Sequence, residues 1–130
     1  MEKWCDPVTA LPVSSSLRLR ATSAPAALPG VAQPAYDRDR ITVGVVHLGP
    51  GAFHRAHQAY YFDQLLAKDP RWGICAVSLK SPGVRDALAP QDGLYTLAQL
   101  DEETTFRIIG SIVEVLVAPE DPLAVFARLS

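Results

Sequence analysis

A chain of 130 residues is the size of one domain. With 48% apolar and 20% charged residues its composition is that of an ordinary globular protein, and a formal net charge of −2 provides no basic field to hold nucleic acid or an anionic membrane. No apolar stretch approaches the ~18 residues that a membrane span requires.

Pro, Ala and Ser dominate the first forty residues, and hydrophobic periodicity is absent there. Residues 1–40 are therefore expected to form an extended or partly disordered arm, closing at Pro34-Ala35-Tyr36-Asp37-Arg38. The start, Met1-Glu2-Lys3-Trp4-Cys5-Asp6-Pro7, is polar and opens no unbroken apolar core of a signal peptide. Residues 14–35 lack acids and carry Arg18 and Arg20, as a transit peptide does, but Pro25, Pro29 and Pro34 break the amphipathic helix that such a peptide needs. The two cysteines, Cys5 and Cys75, have neither metal-ligand nor redox spacing. Reduced thiols and a cytoplasmic location are the expectation.

After residue 40 the pattern tightens. Residues 42–48, Thr-Val-Gly-Val-Val-His-Leu, are β-branched and almost continuously apolar, which predicts a strand buried on both faces of a parallel sheet. Gly49-Pro50-Gly51 follows at once. Ala52, Ala56, Ala59, Phe62 and Leu66 then recur at steps of three and four, predicting one helix that ends near Lys68-Asp69-Pro70. Residues 72–79, Trp-Gly-Ile-Cys-Ala-Val-Ser-Leu, read as the second strand and complete a right-handed βαβ unit. After Ser81-Pro82-Gly83 a short helix, Val84 to Ala89, is stopped by Pro90. Two apolar stretches follow, Leu94–Leu100 and Phe106–Leu116, separated by Asp101-Glu102-Glu103-Thr104 and read as adjacent antiparallel strands. Leu123–Leu129 opens a further helix. A doubly wound sheet continues with another parallel strand, so the expectation is a partial Rossmann-like α/β domain over residues 41–130, with an uncovered apolar sheet edge.

The chemistry concentrates at the first turn. Two glycines between a buried strand and a helix let the backbone turn sharply and approach a diphosphate, to which a helix N-terminus offers unpaired N–H groups. Pro50 suits a tight turn. The usual fingerprint has a third glycine where this chain has His54, so the match is G-x-G only, a pattern that serves structure as readily as nucleotide binding. His54 and His57, three residues apart, share a helix face on which a metal would need further ligands. No Cys, Asp or Glu is placed locally to complete one, and no metal is expected. Arg55 has two open uses, a phosphate or a carboxylate partner.

The longer stretch His47-Leu48-Gly49-Pro50-Gly51-Ala52-Phe53-His54-Arg55-Ala56-His57-Gln58-Ala59-Tyr60 resembles the N-terminal signature of the mannitol dehydrogenase family, which includes mannitol 2-dehydrogenases, arabinitol dehydrogenases, and fructuronate and tagaturonate reductases. The resemblance continues through Tyr36-Asp37-Arg38, Trp72-Gly73-Ile74-Cys75, Gln91-Asp92-Gly93-Leu94-Tyr95-Thr96-Leu97 and Ile109-Gly110-Ser111-Ile112. It implies the cofactor-binding part of an oxidoreductase that interconverts a polyol or sugar acid with its keto form. The cofactor is NAD or NADP, and the residues expected to hold it are His47, Leu48, Gly49, Pro50, Gly51, Ala52, Phe53, His54 and Arg55, with Lys80 and Ser81 after the second strand. Relatives that prefer NAD carry acidic residues just past that strand, where a carboxylate pairs with the ribose hydroxyls. This chain has Pro82-Gly83 there, with Lys80, Ser81 and Arg85 nearby, which tolerates a 2′-phosphate. The resemblance also implies a catalytic Lys-x4-Asn-x2-His arrangement on a separate helical domain. No lysine follows Lys80 and no histidine follows His57, so no catalytic residue is expected in this chain, and isolated it is expected to be inactive. The alternative is a truncated, non-catalytic nucleotide-binding module or an interaction remnant.

Overall fold

The computed structural model describes residues 29–130. Cys5 and most of the expected N-terminal arm lie outside the described residues. The elements in order are β1 (Val31–Ala32), β2 (Val43–Leu48), α1 (Ala52–Ala56), α2 (Gln58–Leu66), β3 (Gly73–Ser78), α3 (Gly83–Leu88), β4 (Tyr95–Gln99), β5 (Thr105–Ile109), β6 (Ile112–Val117) and α4 (Pro122–Leu129). They form two three-stranded sheets, ordered β2-β3-β6 and β1-β5-β4. The first is wholly parallel. In the second, β4 and β5 run antiparallel as expected, while β1 adds parallel to β5.

β3 is central in the parallel sheet, and all six of its residues are buried. Its continuous run Ile74-Cys75-Ala76-Val77 suits a strand covered on both faces. One face packs with Ala59, Leu88, Ile109 and Ile112 around Ile74 and Ala76. The other joins Cys75 and Val77 to Val125 of α4. The Cys75 thiol is free and buried, and burial beside the Glu114 carboxylate pushes it up to about 12. β2, expected to be buried on both faces, is instead an edge strand of this sheet in which Gly44 and Leu48 are exposed. Its side chains still reach both cores, Val45 against the Ile74 face and Val43 and Val46 against the Cys75 face, while one backbone edge has no strand neighbour among the described residues.

Two further expectations are corrected. The single helix after the glycine turn is broken at His57, whose φ of −120° and ψ of −75° separate α1 from α2. The His57 ring stacks on Phe53 at 4.2 Å, and its Nδ1 lies 2.9 Å from the Phe53 carbonyl. That local side-chain-to-backbone contact competes with regular helix geometry. Periodicity could not reveal it, because the apolar face runs on across the break, with Ala59 and Leu66 buried.

The apolar run Phe106–Leu116 is not one strand. It divides at Gly110-Ser111 into β5 and β6, which belong to different sheets. A chain that leaves one sheet for another exposes backbone polar groups in the core, and these need partners. Gly110 N–H donates to Asp63 Oδ1 at 2.8 Å, and Arg38 donates to the carbonyls of Gly110 at 3.2 Å and Ile112 at 3.3 Å. Ser111 Oγ donates to the Ala59 carbonyl at 2.6 Å. Tyr36 Oη donates to the same Asp63 oxygen that Gly110 uses. A Cβ at position 110 would stand 3.0 Å from Tyr36 Oη and 3.2 Å from Leu94 Cδ2, so a larger residue would have to displace both side chains slightly. Asp63 is only 3% exposed. Burial raises its carboxyl above the ordinary value, partly offset by the hydrogen bonds from Tyr36 and Gly110. Burial and the Asp63 carboxylate together push the Tyr36 phenol strongly upward.

Candidate functional site

β2 and β3 finish side by side, with Leu48 opposite Val77, and the Gly49 N–H caps the pair by donating to the Val77 carbonyl at 2.9 Å. Gly49 then turns the chain at φ +86°, a left-handed conformation that favours glycine. Gly51 has an ordinary φ of −69° and is the residue immediately before α1. A Cβ built on it would meet nothing within 4 Å. The two glycines therefore do different work: the first makes the turn, and the second leaves space above it.

That space belongs to a cleft of about 330 Å³ lined by Gly49, Pro50, Gly51, Ser78, Leu79, Lys80, Ser81 and Val84. It lies at the C-terminal ends of two parallel strands, where open α/β sheets take their ligands. Of the residues expected from the sequence, the fold brings Gly49, Pro50, Gly51, Lys80 and Ser81 together in this lining, and adds Ser78, Leu79 and Val84. Leu48 and Ala52 flank the turn and are exposed. His47, Phe53, His54 and Arg55 stand outside the lining.

These four have other tasks. His54 occupies the position of the third glycine, which in the usual fingerprint permits close helix–strand packing. Here His54 is 5% exposed and its ring stacks on that of His47, 3.5 Å between centroids and 8° between planes. A pair of imidazoles thus fills the gap between β2 and α1 that a glycine would close. His54 Nδ1 pairs with Gln58 Oε1 at 3.0 Å. Burial lowers the His54 pKa, an effect opposed by Gln58 and reinforced by His47 and Arg55. Phe53, 76% exposed, faces outward beneath the His57 ring. Arg55 Nε reaches back to the Gly51 carbonyl at 3.4 Å. No group of three His, Cys, Asp or Glu suited to a metal occurs among the described residues.

Beyond β3 the charges sort unevenly. Lys80 and Ser81 are exposed in the cleft lining. Arg85, which sequence places in the same basic turn, is instead paired with Glu120 and with Asp86 at 2.9 Å. Those pairs also occupy the two carboxylates, leaving the cleft itself lined by a lysine and no acid. A dinucleotide fits these residues: the Gly51 gap admits a diphosphate against the backbone, and Lys80 and Ser81 offer donors to a ribose or its phosphate.

Sequence reasoning missed Asp63 and Tyr95. Asp63 interrupts an apolar helix face, and an acid in that setting signals a buried role. Tyr95 falls in a segment that carries the family resemblance, but its hydrogen bond to the Arg55 carbonyl, forty residues away, has no local signal.

Residues 43–129 match the mannitol dehydrogenase Rossmann domain family. The chain is 44% identical over 108 residues to a mannitol 2-dehydrogenase of Phaeosphaeria nodorum, covering 79% of this chain and 19% of that protein. It is 40% identical over 102 residues to a mannitol dehydrogenase of Saccharomyces cerevisiae, covering 75% and 20%. Among solved structures, the Pseudomonas fluorescens mannitol 2-dehydrogenase in a ternary complex with NAD and D-mannitol superposes with a TM-score of 0.81 at 39% identity, over 87% of this chain and 24% of that one. A substrate-free D-sorbitol dehydrogenase gives 0.78 at 38%, with the same coverage. The chain thus spans about a fifth of the length of the curated relatives it matches. Its two-sheet architecture, its glycine turn and the extent of the match agree: this chain belongs to the mannitol dehydrogenase family and carries Rossmann-domain sequence of that family.

Proposed function

We propose that this chain binds NAD(H) or NADP(H) in the cleft between the glycine turn and the end of β3, as the cofactor-binding portion of an oxidoreductase acting on a polyol or sugar acid and its keto form. The observation that carries the reading is the convergence of Gly49, Gly51, Lys80 and Ser81 on one cleft at the ends of two parallel strands. Gly49 to Gly51 would hold the diphosphate, with Leu48 and Ala52 bordering it, while His47, His54, Phe53 and Arg55 fix the helix that follows. Lys80 and Ser81 would meet the adenosine ribose. When bound, the nicotinamide supplies the hydride chemistry, and this chain's residues supply orientation. A buried, unpaired Cys75 suits a reducing, cytoplasmic setting. None of the described helices is long and apolar enough to cross a membrane.

Calorimetric titration of the chain with NADH and NADPH tests the reading. Saturable binding of both, with weak discrimination, is the expected result, and absence of any binding overturns it. Gly83→Asp should move the preference toward NADH by about 1–2 kcal/mol, roughly five- to thirtyfold, the scale of a charge-assisted contact. The added Cβ has room, since its nearest neighbour is Ser81 Oγ at 4.0 Å. An unmoved ratio would detach the end of β3 from the ribose.

The isolated chain is also expected to show no substrate-dependent change in NAD(P)H absorbance with fructose, fructuronate, tagaturonate, mannitol or arabinitol. Hydride transfer to a carbonyl needs a positioned group to protonate or stabilise the developing alkoxide. Lys68 sits beyond the far end of α2, and Lys80 lies in the lining proposed for the ribose. The His54 ring is stacked on His47 and the His57 ring on Phe53. Turnover that persists after Lys80→Ala would contradict this assignment.

A further inference from the structure

The smaller, mixed sheet meets the glycine-turn helix through a side-chain hydrogen bond. Tyr95 on β4 donates its phenolic hydrogen to the Arg55 carbonyl at 2.6 Å. Arg55 lies at the end of α1, just before the break at His57. Carbonyls of the last turn of a helix have no partner within it and take one from elsewhere. The residues before Tyr95 are arranged to deliver it. Asp92 and Gly93 both adopt left-handed backbone, at φ 55° and 79°. A Cβ on Gly93 would lie 2.3 Å from the Ile112 carbonyl oxygen, so only glycine passes there. Gln91 Nε2 then donates to the Leu94 carbonyl at 2.9 Å, and Leu94 is buried. The segment Gln91-Asp92-Gly93-Leu94-Tyr95 is thus a turn that presents a phenol to α1.

We propose that Tyr95 is a positioning residue for the dinucleotide site: through the Arg55 carbonyl it holds α1, and with it the Gly49–Gly51 turn, in the conformation that receives a diphosphate. The inference rests on the reading of the cleft given above. α1 is only five residues long and is followed by a break, so few internal hydrogen bonds hold it, among them Arg55 N–H to the Gly51 carbonyl and His57 N–H to the Phe53 carbonyl. Arg55 Nε, on the same residue, reaches the Gly51 carbonyl and so connects the held end of the helix to the turn. Burial raises the Tyr95 phenol above its ordinary value, opposed by Arg55 and aided by Asp63, so it remains a donor throughout the neutral range.

The test is Tyr95→Phe, which keeps the ring and deletes the donor. Affinities of the whole chain for NADH, ADP and adenosine are measured with amide hydrogen exchange at Arg55 and His57 and the urea unfolding midpoint. NADH and ADP should each weaken by about fivefold, the worth of one hydrogen bond, while adenosine is unchanged. Exchange at Arg55 and His57, whose amides bond within α1, should quicken without ligand, more than in β3. Equal losses for all three ligands, or faster exchange spread evenly over the chain, would make Tyr95 a general stabiliser and overturn the proposal. Wild-type binding of NADH with no change in the variant overturns it while leaving the cleft reading intact. No binding by the wild type overturns both. Should the phenylalanine variant unfold, Gln91→Met, which removes the hydrogen bond to Leu94, must reproduce the ADP-against-adenosine split for the proposal to stand.

Discussion

Asp63→Ala is expected to lower the unfolding free energy by about 2–4 kcal/mol, because it strands two donors in the core. Gly110 N–H and Tyr36 Oη both use Asp63 Oδ1, and both sit where β5 passes into β6. Water cannot replace the carboxylate readily at a site 3% exposed. Asp63→Asn retains an oxygen for both donors, so its loss should stay below about 1 kcal/mol. The pair also separates in its pH behaviour. Burial raises the folded-state Asp63 pKa above its ordinary value of 3.8. A raised carboxyl favours the folded state fully below the unfolded value, and that contribution is lost as pH rises through the folded one. The asparagine variant has no such group, so its stability relative to wild type should climb as pH increases above 3.8. Urea unfolding across pH 3–7 measures this. A variant that tracks wild type in parallel at every pH would mean that Asp63 does not titrate as its burial dictates.

The second large effect is on binding. Gly51→Val should weaken NADH by more than about a hundredfold, since a branched side chain would occupy the gap proposed for the diphosphate. It should leave the fold nearly intact. φ at Gly51 is −69°, open to any residue, and the new Cβ touches nothing within 4 Å. A weaker residue before the first helical turn costs about 1 kcal/mol or less. Gly49→Val is the contrasting variant: at φ +86° it strains the turn itself and should lose stability as well as binding. Titration calorimetry with the unfolding midpoint distinguishes the two. Unchanged NADH affinity in Gly51→Val would remove the glycine turn from the site.

Much of this protein was determined by local sequence. Alternating glycines after a β-branched run, a helical face at steps of three and four, and prolines at the stops sufficed for the βαβ unit, since each signal acts within about a dozen residues. The antiparallel pairing of β4 with β5 was legible from the acidic separator between two apolar stretches. The family signature was legible for the same reason, being a contiguous string. What tertiary structure alone decided involves groups remote in sequence. The division of Phe106–Leu116 between two sheets depends on Asp63 and Arg38 supplying partners for Gly110, 47 and 72 residues away. Apolar pattern is blind to that, because both strands enter the same core. Arg85 looked free beside the cleft until the fold set Glu120 against it, 35 residues later. His54, a departure from the glycine fingerprint by sequence, proved to be half of a stacked pair whose other half lies near the end of the preceding strand. Sequence specifies the conformations a segment prefers, and only closure of the chain specifies which distant donor meets which acceptor.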